Sequence, residues 1–301
     1  MLLKGKVALV TGAARNVGRG IALRLAREGA HVLLDDIESA ALEGLAAQCR
    51  ADGLSVHPVL ADISNPTAVQ SMFKQALKEF GGLDILVNNA VIHTPSKAER
   101  GPFLRVRAAA WNEFLSRNLD ALFYTSQAAA KIMTRCRRGS IINISSNGAV
   151  QAHRQRLAYD TFKGALESFT RALAVDLAPW NVRVNALRPC AVADAPAPGT
   201  PAEVRDRRLG AMIPLGRIAR PADVAWAVVF LAADDAAFIT GQIFNIDGGM
   251  LEQSRPPELE LEPVIKPEDL DLEDGLIDPG GNCRSVRRQL SPDSSGHGNK
   301  A

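Results

Sequence analysis

Tyr159 and Lys163 stand four residues apart in a segment whose apolar positions, Leu166, Phe169, Thr170, Leu173 and Leu177, recur at helical spacing. An amphipathic helix over 159–177 would carry the phenol and the ammonium on one face. A cation beside a phenol favours its ionised form, as a general acid/base requires. The pair alone is a weak signal, because Tyr-x-x-x-Lys arises by chance in a chain this long at roughly even odds or somewhat less. An exposed Tyr next to a solvated Lys would read the same way. Context adds the weight: the strand-like run Ser140–Ile144 ends in Ser145-Ser146, fourteen and thirteen residues before Tyr159, and a phosphate-type loop lies near the N-terminus.

That loop follows Lys6-Val7-Ala8-Leu9-Val10, an apolar run suited to a buried parallel strand. The run breaks at Thr11-Gly12-Ala13-Ala14-Arg15-Asn16-Val17-Gly18-Arg19-Gly20. A helix with Ile21, Ala22, Leu25 and Ala26 on one face follows, and Gly29 ends it. The next strand, His31–Leu34, runs into Asp35-Asp36. A Gly-rich turn opening a helix within a βαβ unit offers backbone N–H groups to a pyrophosphate, and the acid beyond takes the adenosine ribose hydroxyls. Asp36 repels a 2′-phosphate and no Arg follows it, so NAD is expected over NADP.

The alternation continues. Val56–Leu60 reaches Ala61-Asp62, and Ser64 is expected to cap a helix carrying Val69, Met72, Phe73, Ala76, Leu77 and Phe80. Asp84–Val87 ends in Asn88-Asn89-Ala90. A basic connector (Lys97, Arg100, Arg105, Arg107) leads to a long helix from about Trp111 to Met133 containing Asn118. Val182–Leu187 ends in Arg188-Pro189-Cys190. A Pro/Ala-rich segment over 193–201, helices over 203–210 and 222–233, and a last strand Ile243–Ile246 complete the series. The pattern specifies an α/β fold: a doubly wound, Rossmann-like parallel sheet of about seven strands, with ligands beyond the strands' carboxyl ends. Thr11, Asp36, Asp62, Asn88, Ser146 and Pro189 all fall at such ends and so on one rim.

At 301 residues with 47% apolar content, one large core is within reach. A net charge of +2 without a dominant Lys/Arg block speaks against nucleic acid as partner, and no apolar run approaches the ~18 residues of a membrane span. The start, Met1-Leu2-Leu3-Lys4-Gly5-Lys6, reads as the approach to a strand and shows no leader pattern, so a cytoplasmic location is expected. Cys49, Cys136, Cys190 and Cys283 are widely separated and the five His lack ligand spacing, so neither a metal site nor a disulfide framework is expected. From Glu252 the composition changes. Residues 252–301 carry eleven acids and six bases, a balance of −5 that leaves +7 for residues 1–251. The expectation is one catalytic domain over 1–251 and a disordered acidic, Pro-rich tail over 252–301, with docking of Leu259, Leu261, Val264 and Ile265 as the rival.

Over about residues 3–250 the chain resembles a short-chain dehydrogenase/reductase. The matching pieces, in order, are Thr11-Gly12-x-x-x-x-x-Gly18, Asp36, Ala61-Asp62, Asn88-Asn89-Ala90, Asn118, Ser146, Tyr159-x-x-x-Lys163, Val184-Asn185 and Asp247-Gly248-Gly249. The resemblance implies a catalytic tetrad in which Tyr159 moves the alcohol proton while Lys163 assists it and holds the nicotinamide ribose. Ser146 would hydrogen-bond the substrate oxygen, and Asn118 would hold a relay water. Ser145 is the neighbouring alternative, disfavoured by the Ser-to-Tyr spacing. The resemblance also implies cofactor contacts from Gly12, Arg15, Asn16, Val17 and Gly18; from Asp36, Ile37, Asp62 and Ile63; and from Asn89, Ala90, Tyr159, Lys163, Pro189 and Val192. The implied reaction is hydride transfer between NAD(H) and a secondary alcohol or ketone, in a homo-oligomer (dimer or tetramer) built on helices 111–133 and 159–177.

Departures from the family pattern are Asn16 for a Gly, Val91 after Asn-Asn-Ala, Cys190 after Pro189, and Asp194 where a Thr is common. Asn tolerates a left-handed backbone, so the turn should survive. The other three leave open a reshaped pocket or a catalytically weakened nucleotide-binding scaffold. An NADPH-dependent 3-oxoacyl-type reductase is a further alternative. His93, His153, Arg154, Arg188 and Arg205/Arg207/Arg208 are candidates to attract an anionic substrate, against the plainer reading of solvated surface.

Overall fold

The computed structural model describes residues 1–193 and 201–259. Among these residues seven strands form one sheet in the order β3-β2-β1-β4-β5-β6-β7, with every pairing parallel. They are β1 (Val7–Thr11), β2 (His31–Asp36), β3 (Val56–Leu60), β4 (Ile85–Asn88), β5 (Gly139–Ile144), β6 (Val182–Pro189) and β7 (Ile243–Ile246). Helices α1 (Asn16–Arg27), α2 (Ser39–Ala51) and α7 (Pro221–Ala232) cover one face. Leu25, Leu45 and Val228 pack there with Val10, Leu34 and Val87. Helices α3 (Pro66–Phe80), α4 (Ala108–Cys136) and α5 (Leu157–Leu177) cover the other, where Met72, Ala129 and Ala174 meet Leu9, Leu86 and Val184. Covering both faces is why the central strands are near-continuous apolar runs: all five residues of β1 are buried. A short helix, α6 (Ala202–Gly210), lies between β6 and α7 in sequence. All these elements belong to one unit, Met1–Glu258. The expected 252–301 tail lies, apart from 252–259, outside the described residues, as does Asp194.

The strand order reverses between β1 and β4, and the crevice beyond their carboxyl ends is where such sheets bind ligands. Gly12 (φ +64°) and Asn16 (φ +49°) both take left-handed backbone in the β1–α1 turn, so Asn16 stands in for the family's Gly there. A Cβ on Gly18 would collide with the Gly12 carbonyl and the Asn89 amide, which closes the turn tightly against the β4 end. Asn89 holds it from the other side, its Nδ2 donating to the carbonyls of Thr11 (2.9 Å) and Gly12 (3.2 Å).

One local expectation is corrected. The α3 cap is Asn65: its Oδ1 accepts from the N–H groups of Thr67 and Ala68, and Pro66 occupies the first helical position. Ser64 instead donates to Asp62 Oδ1 (2.7 Å) and orders the β3–α3 loop. Asn88 and Thr11 end β4 and β1 on the rim as expected, with their side chains committed to hydrogen bonds. Asn88 Nδ2 donates to Asn143 Oδ1 (2.9 Å) and Ser126 Oγ (3.1 Å), while Thr11 Oγ1 accepts from the N–H groups of Asn89 and Ala90.

Candidate active site

Two adjoining clefts open along the carboxyl edge of the sheet. The first, about 790 Å³, runs from the β1–α1 turn past the ends of β2, β3 and β4. Gly12, Arg15, Asn16, Val17 and Gly18 form its floor, Asp36 and Ile37 one end, and Asp62, Ile63, Asn89 and Ala90 its side. The second, about 860 Å³, lies over β5 and β6 and is lined by Ser146, Lys163, Pro189, Cys190 and Met212 among others. Tyr159, Val17, Asn89, Val91, Val192 and Arg156 border both. The phenol therefore sits where the two clefts join.

Carboxylates dominate the far end of the first cleft. Asp36 is locked in place, its Oδ2 accepting from Ala14 N (3.0 Å) and its Oδ1 from Glu38 N (3.1 Å). Arg15, a cation lining the same cleft, pairs with Glu38 at 2.9 Å. Asp62 meets Arg117 of α4 at 3.4 Å; hydrogen bonds from Ser64 and Arg117 hold its carboxyl below the usual range against the opposing pull of burial. Asp35 also borders this cleft. It is 2% exposed and its Oδ1 has no partner among the described residues. Burial, with Asp36 and Asp62 close by, pushes its carboxyl well above the ordinary value.

At the junction, α5 carries both chemical groups. Lys163 lies one turn beyond Tyr159, 2% exposed, with Nζ 5.6 Å from the phenol ring centroid and donating to the Ile144 carbonyl at 2.6 Å. Burial, with the positive charge of Arg156 adding to it, lowers its ammonium from 10.5 to about 7. The Ser146 hydroxyl accepts from Gly148 N and donates to Asn147 Oδ1, both at 3.2 Å. Ser145 is already committed: its hydroxyl donates to Glu167 Oε1 (2.7 Å). Both serines line the second cleft.

Asn118 is set apart from this group. It is buried, Nδ2 donates to the carbonyls of Ile92 (2.7 Å) and Phe114 (2.8 Å), and Oδ1 accepts from Ile92 N (2.9 Å). Both amide hydrogens are spent on backbone, and the side chain clamps the Val91–His93 segment. Arg188, a candidate anion attractor by sequence, is likewise corrected. It makes a bidentate pair with buried Glu167 (2.9 and 2.7 Å) and donates to Asn245 Oδ1 (2.8 Å), which engages all three of its nitrogens. His153 pairs with Asp160 at 2.8 Å. His93 pairs with Glu99 at 2.8 Å, and burial lowers its imidazolium below the ordinary value.

Residues 12–251 match a family model described as enoyl-(acyl carrier protein) reductase. The chain belongs to the short-chain dehydrogenase/reductase family. Among curated relatives it is 32% identical over 253 residues to 3-oxoacyl-[acyl-carrier-protein] reductase FabG of Thermotoga maritima, covering 83% of this chain and all of that one. It is 35% identical to 3-oxoacyl-[acyl-carrier-protein] reductase of Synechocystis sp. over 83% of this chain and 98% of the relative. A solved structure titled NAD+-bound xylitol dehydrogenase shares 30% identity with a TM-score of 0.75, covering 83% of this chain and all of the other. As a member of this family, the chain is an oxidoreductase acting on a CH–OH group.

For a short-chain dehydrogenase/reductase, two of the departures noted in the sequence, Val91 and Cys190, line the second cleft. Val91 packs among Phe114, Phe162 and Tyr159, and Cys190 lines the second cleft with its thiol pushed up by burial. The Asp247-Gly248-Gly249 match is structural: Asp247 accepts from the N–H groups of Gly249 and Leu251, and Gly248 lies against Ile213 of the second cleft. Sequence reasoning missed Asp35, Arg100, Arg117 and Arg156 as cleft residues. Arg156 alone left a local signal, standing one helical turn before Tyr159.

Proposed function

We propose that the protein transfers a hydride between NAD(H) and a secondary alcohol or its ketone, with Tyr159 as the group that moves the hydroxyl proton. The observation that carries this is the placement of Tyr159 between the two clefts, with a buried ammonium 5.6 Å from its ring. A dinucleotide fits the first cleft. Gly18 leaves room for the Gly12 backbone where any Cβ would intrude, and Asp36 is held at the far end for ribose hydroxyls. Lys163 and Tyr159 would hold the nicotinamide ribose, with Val17, Asn89, Ala90, Pro189 and Val192 around that end. When bound, the nicotinamide supplies the carbon that accepts or gives the hydride.

In the oxidative direction Tyr159 takes the substrate's hydroxyl proton, and Lys163, poised at about 7, passes charge and proton at working pH. Ser146 turns its hydroxyl hydrogen from Asn147 toward the substrate oxygen and steadies the charge that builds there. Asn118 acts through Ile92, fixing the loop beside the junction. Asp36, Glu38, Asp62 and the neutralised Arg15 disfavour a 2′-phosphate, which supports NAD over NADP. Assembly as a dimer or tetramer through α4 and α5 is part of the same reading, with Phe123 and Val175 as exposed apolar residues on those helices. No described helix is long and apolar enough to cross a membrane, and a cytoplasmic location remains the expectation.

Tyr159→Phe tests the assignment: turnover is expected to fall at least ~10³-fold while NADH fluorescence binding stays near wild type. Near-full activity of the variant refutes it. A second reading, an NADPH-dependent 3-oxoacyl reductase, is favoured by the names of the curated relatives and opposed by Asp36. Initial rates on alcohols, ketones and 3-oxoacyl thioesters with both cofactors separate the two. Absence of NADH binding at millimolar concentration would point instead to the weakened scaffold.

A further inference from the structure

One cation at the junction has no anionic partner among the described residues. Arg156 stands at the start of α5, and its guanidinium carbon lies 4.2 Å from the centroid of the Tyr159 ring. Its Nε is buried without a hydrogen-bond partner. The carboxylates near it are committed elsewhere: Asp160 to the ring and N–H of His153, and Glu99 to Thr94 Oγ1 and His93 Nδ1. A second guanidinium, Arg100, borders the same cleft, on a segment tied to the Arg156 loop by the hydrogen bond from Gly101 N to the Gln155 carbonyl (3.1 Å). Arg100 touches His93 Nε2 (3.3 Å), and Glu99 lies 3.8 Å from its Nε. Burial and the nearby charge of Arg156 push Arg100 below its ordinary value, and Arg156 does the same to Lys163. The mouth of the catalytic junction therefore carries positive charge that the described residues leave under-compensated.

We propose that Arg156, with Arg100 beside it, is a carboxylate clamp that selects short hydroxy- or oxo-carboxylic acids, the carboxylate lying a short carbon chain from the carbon that reacts at Tyr159. A planar guanidinium fork matches a carboxylate edge to edge, and it is stronger in a partly dehydrated pocket than at an open surface. Neutral alcohols and thioesters leave Arg156 without an anion in a site partly closed to water. The selecting group is distinct from the cations the sequence suggested: Arg188 is consumed by Glu167, and Arg205 pairs with Asp206. The proposal rests on the hydride-transfer reading for its kinetic test, and a binding test is independent of it.

The kinetic test compares linear 2-, 3- and 4-hydroxy acids with their methyl esters, using the full chain and NAD+. The quantity read is the kcat/KM ratio of acid to ester. It is expected to be about 10- to 100-fold for the best acid in the wild type, to fall to about 1 in Arg156→Gln, and to recover partly in Arg156→Lys. A wild-type ratio near 1, or a ratio unmoved by Arg156→Gln, overturns the clamp. The binding test titrates a non-reactive carboxylate, butanoate, and its amide into the NADH complex and follows NADH fluorescence. Butanoate is expected to bind at least ~10-fold more tightly than the amide, and only while residue 156 is Arg or Lys. If no alcohol is turned over but this preference holds, the hydride-transfer reading fails and the clamp stands; if butanoate and amide bind alike, the clamp fails whatever the turnover.

Discussion

Lys163→Met is the perturbation with the clearest arithmetic. The folded ammonium titrates at about 7, against an ordinary 10.5, chiefly because it is buried. Between those two values the unfolded chain holds a proton that the folded chain does not, so wild-type stability rises with pH across that window. A tenfold change in proton affinity is about 1.4 kcal/mol. The apo wild type therefore carries a penalty of about 4 kcal/mol at pH 7, falling to about 2 kcal/mol at pH 9 and vanishing above the ordinary lysine value. Met fills similar volume and carries no such term. It also loses the bond to the Ile144 carbonyl, a cost that does not vary with pH. The absolute difference between variant and wild type thus mixes two effects, while its pH dependence isolates one. Urea melts of both proteins without cofactor, at equal protein concentration, should show the variant's relative stability dropping by about 2 kcal/mol from pH 7 to pH 9. In thermal melts that is roughly 4–8 °C. A difference constant with pH would mean that the ammonium keeps its ordinary affinity for protons, and the role assigned to Lys163 at neutral pH would fall with it.

Three further perturbations act on contacts elsewhere in the domain. Replacing Asp36 by Ala together with Ile37→Arg should shift the NADH/NADPH ratio of kcat/KM by about 100-fold toward NADPH, since one anion is removed and one cation added beside the ribose end; steady-state rates with both cofactors check it, and an unmoved ratio removes Asp36 from cofactor choice. Asn16→Gly should be within about 0.5 kcal/mol of wild type, whereas Asn16→Val should lose about 1–2 kcal/mol or more, because φ is +49° there; denaturant midpoints decide. Glu167→Ala strands the Arg188 guanidinium and the Ser145 hydroxyl at once, and should cost about 3–5 kcal/mol, read from the urea midpoint; a loss below about 1 kcal/mol would mean that water replaces the carboxylate.

Short-range patterns make much of this molecule legible from its chain alone. Strand runs such as Val7–Val10 and Ile141–Ile144 announce themselves because strands buried on both faces must be apolar throughout, and α5 because its apolar residues repeat every three to four positions. The Gly12–Gly18 turn, Asp36 and the Tyr159–Lys163 pair are also local, each fixed by spacing within one element or one turn. Smaller local choices are less determined. Ser64 and Asn65 are both good helix caps, and only the position of Pro66 and the pull of Asp62 on Ser64 decide between them.

What the sequence could not decide is how side chains far apart in the chain spend their hydrogen bonds and charges. The backbone partners of Asn118 appear only when the Val91–His93 loop folds across it, and the ion pair of Arg188 only when α5 brings Glu167 alongside. Arg100 and Arg156 share a cleft only because two loops join at Gly101 and Gln155. The type of most strands and helices follows from periodicity, which a segment carries within itself. Whether a given polar group is left over for a ligand depends on every neighbour that folding brings to it, and that is settled in three dimensions alone.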